Sequence, residues 1–300
     1  MKKHAYLIIE HKDNFVLETL IELLDDSRND IFIHIDKKTK NFNFEKYKNK
    51  VKFSKIYFIP RIKVYWGGFS QIMAEINLLK FSFNKGRNYR YYHLLSGVDL
   101  PLKNQNEIHD FFKQYDGREF IGISKEKKEF KERMELYYFE RLKTRTNKNK
   151  LLSKIYKKFE KLQNYCKIKR NCNLKYKVYK GCNWFSITNK LVEYILNNEE
   201  EIKKIYHHTY CCDEVFLQTL VMNSKFKENI YKTYGNDNEA ALRYIDWEKG
   251  DPYIFKREDY IRLITSNLIF ARKFSEEIDI EIIIKIRKRI LQGEENVRGI

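Results

Sequence analysis

Apolar residues in this chain fall in short blocks whose spacing changes from segment to segment, and those changes predict the elements. Ala5–Ile9 and Ile31–Ile35 are near-continuous apolar runs of strand length, the pattern of strands buried on both faces. Val51–Ile59 reads as a third strand and Tyr91–Leu95 as a fourth. Between them Phe15–Leu24 has helical spacing behind a cap at Asp13 or Asn14. A second helix opens at Trp66-Gly67-Gly68-Phe69-Ser70 and runs to about Phe83. Asn104 and Glu107 have capping-box spacing at the start of Gln105–Gln114, and Glu119–Ile123 reads as a further strand. This alternation predicts an α/β fold with a mostly parallel, twisted sheet flanked by helices on both faces.

The second half is less regular. Lys125–Lys180 contains an amphipathic helix, about Leu151–Tyr165, and low-complexity Lys/Asn/Thr sequence around Lys143–Lys150. We expect a basic, partly mobile excursion there from a single domain spanning residues 1–300. Gly181–Ile187 then reads as a strand, Asn189 to about Ile205 as one helix, and Asp213–Asn223 as a short helix with both carboxylates in its first turn. Tyr260–Ile264 is expected to be a last strand and Ile278–Leu291 a terminal helix.

Composition sharpens this picture in three places. The longest run free of Asp, Glu, Lys and Arg is Val64–Ala74, too short to span a bilayer, and Ala5–Ile9 is too short for a signal peptide. A cytoplasmic protein is therefore expected. Five cysteines, an odd number without zinc spacing, are expected to be free thiols. The formal charge of +18 is concentrated: Lys125–Lys180 holds 20 Lys or Arg against 6 Glu, a net of +14. Such a block suits an anionic lipid surface, an acidic glycan or nucleic acid, and equally a solvated face. Peripheral contact with the inner face of the membrane is the expectation.

Candidate chemistry clusters at a few positions. Ser96-Gly97 and Pro101 break the fourth strand into a tight loop at its carboxyl end, where open α/β sheets bind ligands, so Asp99 is expected to face a site. Gly67-Gly68, just before a helix, would let backbone amides approach a ligand. Asp213-Glu214 begins an otherwise apolar segment; the acids suit a helix N-terminus, and one of them, partly buried beside Trp184 and Phe216, suits a general base. Arg243 and Arg272-Lys273 are cations set among apolar residues, as snorkelling side chains are, and as diphosphate ligands would be.

His34-Ile35-Asp36-Lys37-Lys38, Trp66–Ser70, Leu94–Leu102, Gly181-Cys182-Asn183-Trp184-Phe185, Asp213–Phe216 and Phe270-Ala271-Arg272-Lys273-Phe274 occur in that order. Together they resemble the core-2/I-branching enzyme family of β-1,6-N-acetylglucosaminyltransferases and peptide O-xylosyltransferases, over about residues 3 to 275. The resemblance implies a GT-A-like fold and inverting transfer from a UDP-sugar to a hydroxyl of a glycan or glycolipid, without a metal ion or other cofactor. It implies Glu214 as base, Arg243 and Lys273 on the diphosphate, and Asp36 on the uridine. Gly67, Gly68, Asp99 and Trp184 complete the donor side, and Glu132 and Arg133 fall where the family contacts its acceptor. Enzymes of this fold commonly hold a divalent ion with Asp-x-Asp, which this chain lacks, so fixed cations would neutralise the leaving group. The donor sugar is expected to be N-acetylglucosamine, with xylose as the alternative. A polyanion-binding module without catalysis is the competing reading; no nucleic-acid-binding motif supports it.

Overall fold

The computed structural model describes residues 2–86, 88–124, 131–139, 150–170, 177–232 and 236–298. The first strand, β1 (His4–Glu10), leads into α1 (Phe15–Leu23), which starts where the Asn14 side chain accepts a hydrogen bond from Leu17 N at 2.7 Å. β2 (Asn29–Ile35), α2 (Phe44–Lys48), β3 (Lys55–Phe58), α3 (Phe69–Gly86) and β4 (Tyr91–Ser96) follow. These four strands are parallel, with Leu7 paired to Phe32 on one side and to Leu94 on the other.

Beyond β4 the direction changes. A three-residue strand, β5 (Asp99–Pro101), precedes α4 (Gln105–Gln114), whose capping box between Asn104 and Glu107 is formed. β6 (Phe120–Ile121), α5 (Lys131–Glu135), α6 (Lys150–Tyr165) and β7 (Phe185–Thr188) come next. The central sheet runs β3-β2-β1-β4-β7-β6, with β7 antiparallel to both its neighbours. The mostly parallel α/β sheet expected from the alternation is thus present.

The single helix expected from Asn189 to Ile205 is two, α7 (Asn189–Asn197) and α8 (Glu199–Tyr206). Asn198 interrupts it: its side chain donates to Tyr194 O at 2.7 Å, and three glutamates then begin α8, where acids favour a helix start. The carboxylate pair lies in a 3-10 turn, Cys212–Glu214, ahead of α9 (Phe216–Met222), rather than in one continuous helix.

After α10 (Asp237–Ala240) come β8 (Arg243–Ile245), α11 (Tyr260–Ile264), β9 (Phe270–Arg272) and α12 (Ile280–Arg298). The strand expected at Tyr260–Ile264 is therefore a helix. Leu263 is buried while Ile261 is largely exposed, and residues two apart would share one face of a strand. The last strands are instead β8 and β9, which with β5 form a second sheet in the order β5-β9-β8.

Alternation across the central sheet divides the core. Leu7, Phe32, Tyr92 and Leu94 pack on one face beneath α3, α7 and α9, and Tyr6, Ile8, Ile31, Ile33 and Leu95 on the other beneath α1 and α12. No helix among the described residues is long and apolar enough to cross a membrane.

Glu119 staples the short edge of the sheet. Its buried carboxylate accepts from Thr188 N at 2.9 Å and from Thr188 Oγ1 at 2.6 Å. Burial pushes the carboxyl up to about 7, against the hydrogen bonds from Thr188. A carboxyl raised in the folded state contributes stability below its unfolded pKa and loses it as pH rises through about 7. Glu119→Gln, neutral at every pH, should therefore gain on the parent by up to roughly 3 kcal/mol between pH 4.5 and 8. Urea unfolding of both proteins across that range checks this; parallel stability curves would contradict it.

Candidate active site

The site begins at the carboxyl ends of β1, β2 and β4. Gly97 lies so close to Glu10 that an added Cβ would stand 2.0 Å from its Oε2, so a larger residue there would have to displace the Glu10 side chain. Asp36 follows β2; its Oδ1 accepts from Lys38 N at 2.8 Å and from Val64 N at 3.4 Å, and its Oδ2 pairs with Lys38 Nζ at 3.3 Å. Lys38 in turn lies over the Tyr65 ring, 4.7 Å from its centroid. One predicted donor residue thus sits in a small aromatic and cationic corner.

Asp99 departs from expectation, because it is fully buried rather than facing a cleft. Its Oδ2 accepts from Ser96 N at 3.0 Å and its Oδ1 from Ser96 Oγ at 2.6 Å, with Arg272 Nε 3.2 Å from Oδ1 as an ion pair. The Arg272 guanidinium then stacks on Trp184, 4.1 Å from the ring centroid. Asp99 orients Arg272, and Arg272 covers the predicted donor residue Trp184. A buried carboxylate needs a cation, and that signal, at Asp99, identifies Arg272 as the partner sequence reading missed.

Arg243 is the larger correction. The side chain assigned to a diphosphate is 1% exposed and occupied by the protein. Its Nη1 donates to Ala241 O at 2.6 Å and Ser186 Oγ at 3.5 Å, and its Nη2 to Leu94 O at 2.9 Å and Phe185 O at 3.0 Å. The guanidinium also lies 4.5 Å from the Phe270 ring centroid. Burial lowers its pKa to about 10, which leaves it charged at neutral pH. It joins β4 and β7 of the central sheet to the second sheet.

The glycines act differently from the expectation as well. Gly67 N donates to Gln71 Oε1 and Gly68 N to Tyr65 O, so both amides are engaged within the protein. Gly67 instead has a left-handed backbone, φ 72°, and lets Tyr210 and Cys211 approach; a Cβ would stand 2.7 Å from Tyr210. Cys211 N donates to Gly67 O at 2.8 Å, which ties the start of α3 to the carboxylate turn.

In that turn the two acids have different surroundings. Asp213 is buried, accepts from Gln71 Nε2 at 3.0 Å, and is pushed up to about 7 by burial and by the charge of Glu214. Glu75, fully enclosed in α3, is held well above the ordinary carboxyl range by burial and then by the charge of Asp213. The Glu214 side chain is 37% exposed, with Arg133 Nη1 donating to its Oε2 at 2.9 Å and Lys180 Nζ 3.6 Å from the same atom. Gly181 N fixes the backbone by donating to Glu214 O at 3.0 Å. The accessible carboxylate is thus Glu214, and the one raised by burial is Asp213. Arg133, expected on the acceptor, meets Glu214 directly; Glu132 shares α5, but its side chain lies outside the described residues.

Lys273 follows Arg272 at the end of β9, where its carbonyl accepts from Phe255 N at 3.0 Å. A chain of contacts therefore links Glu214 through residues 181–184 to Trp184, Arg272 and Asp99, with Lys273 next in sequence. Lys180 was missed, although it stands directly before the Gly-Cys-Asn-Trp motif. Cys182, Cys211 and Cys212 are free thiols, each pushed up to about 12 by burial, and so inert packing groups. Among the described residues no group of three or more His, Cys, Asp or Glu is placed to hold a metal ion.

Comparison with known proteins agrees with the motif order. The family model for the core-2/I-branching enzyme matches residues 4–269, and the chain belongs to this glycosyltransferase family. It is 24% identical over 306 aligned residues to a human β-1,3-galactosyl-O-glycosyl-glycoprotein β-1,6-N-acetylglucosaminyltransferase, covering 92% of this chain and 67% of that one. The bovine protein of the same name is 23% identical over 92% of this chain and 66% of its own length. Rat xylosyltransferase 2 is 21% identical over 93% of this chain but only 32% of its own. The chain thus spans about two thirds of the first two relatives and about a third of the xylosyltransferase. The solved structure of mouse xyloside xylosyltransferase 1 aligns with 90% of this chain and 97% of its own at 10% identity, with a TM-score of 0.35.

If Arg243 is a structural cation, Arg243→Met should strand the carbonyls of Leu94, Phe185 and Ala241 and cost several kcal/mol, at about 1–3 kcal/mol for each buried group. Thermal melting should show the loss, while UDP affinity of the remaining folded protein changes by less than about twofold. A variant with unchanged melting and UDP binding weakened tenfold or more would return Arg243 to the diphosphate.

Proposed function

We propose that this protein is an inverting glycosyltransferase in which Glu214 deprotonates an acceptor hydroxyl as that oxygen attacks the anomeric carbon of a UDP-sugar. The observation that supports this best is the position of Glu214: an accessible carboxylate held by Arg133 and Lys180, beside the buried Asp213. Asp213, being buried, is poorly placed to meet a substrate.

The donor side of the proposal comprises Asp36 for the uridine, Trp184 with its stacked Arg272, and Lys273 for the diphosphate. Charge neutralisation by fixed cations takes the place of a divalent ion, in keeping with the absence of Asp-x-Asp from the sequence. Family membership and the names of the first two relatives favour N-acetylglucosamine as the sugar, and the xylosyltransferase relatives make xylose the alternative. The acceptor is a glycan or glycolipid of the kind used in surface polysaccharide synthesis, reached from the cytoplasmic side of a membrane.

Glu214→Gln should lower turnover by about 10²–10⁴-fold with UDP affinity nearly unchanged, since proton abstraction matters only in the transition state. Asp213→Asn, the neighbouring control, should lose less. Kinetics and UDP titration on both variants decide this; an active Glu214→Gln enzyme would remove Glu214 from the mechanism. Turnover should also survive EDTA, and Lys273→Ala should weaken UDP binding by roughly 1–3 kcal/mol. Activity lost in EDTA and restored by manganese would contradict the fixed-cation proposal.

A further inference from the structure

We infer that α6 is a lipid-contact helix that seats the protein on an anionic bilayer beside the Arg133–Glu214 pair, so that the acceptor is a lipid-linked glycan. One side of α6 is docked on the protein. Tyr156 and Gln163 are buried, and Gln163 makes a reciprocal pair with the Tyr137 backbone: Tyr137 N donates to its Oε1 at 2.8 Å and its Nε2 donates to Tyr137 O at 3.1 Å. Tyr156 packs with Leu136 and Tyr138, with Phe159 and Tyr210 alongside.

The neighbouring strip of the helix is unprotected. Ile155 and Leu162, seven residues apart and so on one face, are 52% and 54% exposed, and Phe139 and Tyr165 extend the apolar edge. Lys154, Lys158 and Lys161 line the next strip, exposed and without an ion pair among the described residues. This order, docked side, apolar edge, lysine flank, decides among occupants. A nucleic acid would engage the lysines and leave Ile155 and Leu162 in water. An apolar protein partner would cover Ile155 and Leu162 and leave three charges uncompensated. An anionic bilayer satisfies both strips, since aliphatic groups enter the headgroup boundary while lysine stems bend back to the phosphates.

The helix also sits next to the proposed base. It is braced on Tyr137 and Tyr138, a few residues past Arg133; Tyr138 stacks on Tyr210 at 5.3 Å, and Tyr210 N donates to Arg133 O at 3.1 Å. The lipid-linked nature of the acceptor rests on the reading of Glu214 as base, whereas the surface contact does not.

Co-sedimentation with vesicles of phosphatidylglycerol or of phosphatidylcholine, on the full chain, tests the contact. Partition onto phosphatidylglycerol should exceed that onto phosphatidylcholine by at least about tenfold at low salt. Ile155→Ser/Leu162→Ser should reduce it at least about tenfold, and so should Lys154→Gln/Lys158→Gln/Lys161→Gln, with UDP affinity retained as the control for folding. Should the double serine variant misfold, the single changes Ile155→Gln and Leu162→Gln carry the same comparison. Equal binding to both lipids, or undiminished binding by the folded apolar variants, overturns the inference. So does a solution dimer that the apolar variants split, because the face then belongs to a second copy. Vesicle binding is read independently of turnover, so an inactive Glu214→Gln enzyme and a failed lipid contact report on separate claims.

Discussion

The buried guanidinium of Arg243 is the constraint on which the rest of the architecture depends. It leaves the second sheet at β8, crosses to the main sheet, and donates to the carbonyls of Leu94 and Phe185 in β4 and β7 while lying over Phe270 of β9. Those carbonyls lie between strands that change direction, where antiparallel β7 meets the parallel run. A cation this deeply buried costs several kcal/mol in desolvation, which only dense hydrogen bonding offsets. Its geometry therefore fixes how the two sheets meet, and several residues of the candidate site stand on that junction. Asp99 and Arg272 pair across β5 and β9, and Trp184 stands directly before β7.

From that junction the electrostatics of the site follow. Arg272 is neutralised from below by Asp99 and faces Trp184, so its charge is directed and partly spent. At the other end Glu214 is surrounded by Arg133 and Lys180, while its neighbour Asp213 is enclosed with Gln71 and close to the equally enclosed Glu75. Two adjacent acids thus differ in surroundings: burial pushes the Asp213 carboxyl up, while Glu214 reaches solvent.

Much of the fold was legible in the sequence because β1, β2 and β4 are long apolar runs, and a parallel sheet covered on both faces requires that pattern. The capping box at Asn104 and Glu107 was legible because it is a local contact. The second sheet was not, since β5, β8 and β9 are three residues each, too short to show a period. Tyr260–Ile264 misled for the related reason that five apolar-rich residues fit either period. At the site, the Asp213-Glu214 dipeptide was visible, but which acid would be buried depends on Gln71 and Glu75 far away in the chain. Arg243 was misassigned because a cation among apolar residues looks the same whether its partners are backbone carbonyls or a phosphate. Only the tertiary position of Leu94 and Phe185 separates the two.

The central claim is that one accessible carboxylate, Glu214, acts as a base in a single displacement. A single displacement inverts the anomeric carbon, whereas a covalent or double-displacement route retains its configuration. The direct measurement is proton NMR of the first product formed when the enzyme transfers or slowly hydrolyses a UDP-α-sugar, recorded before mutarotation. The account predicts the β-anomer as the initial product. Initial release of the α-anomer would contradict it.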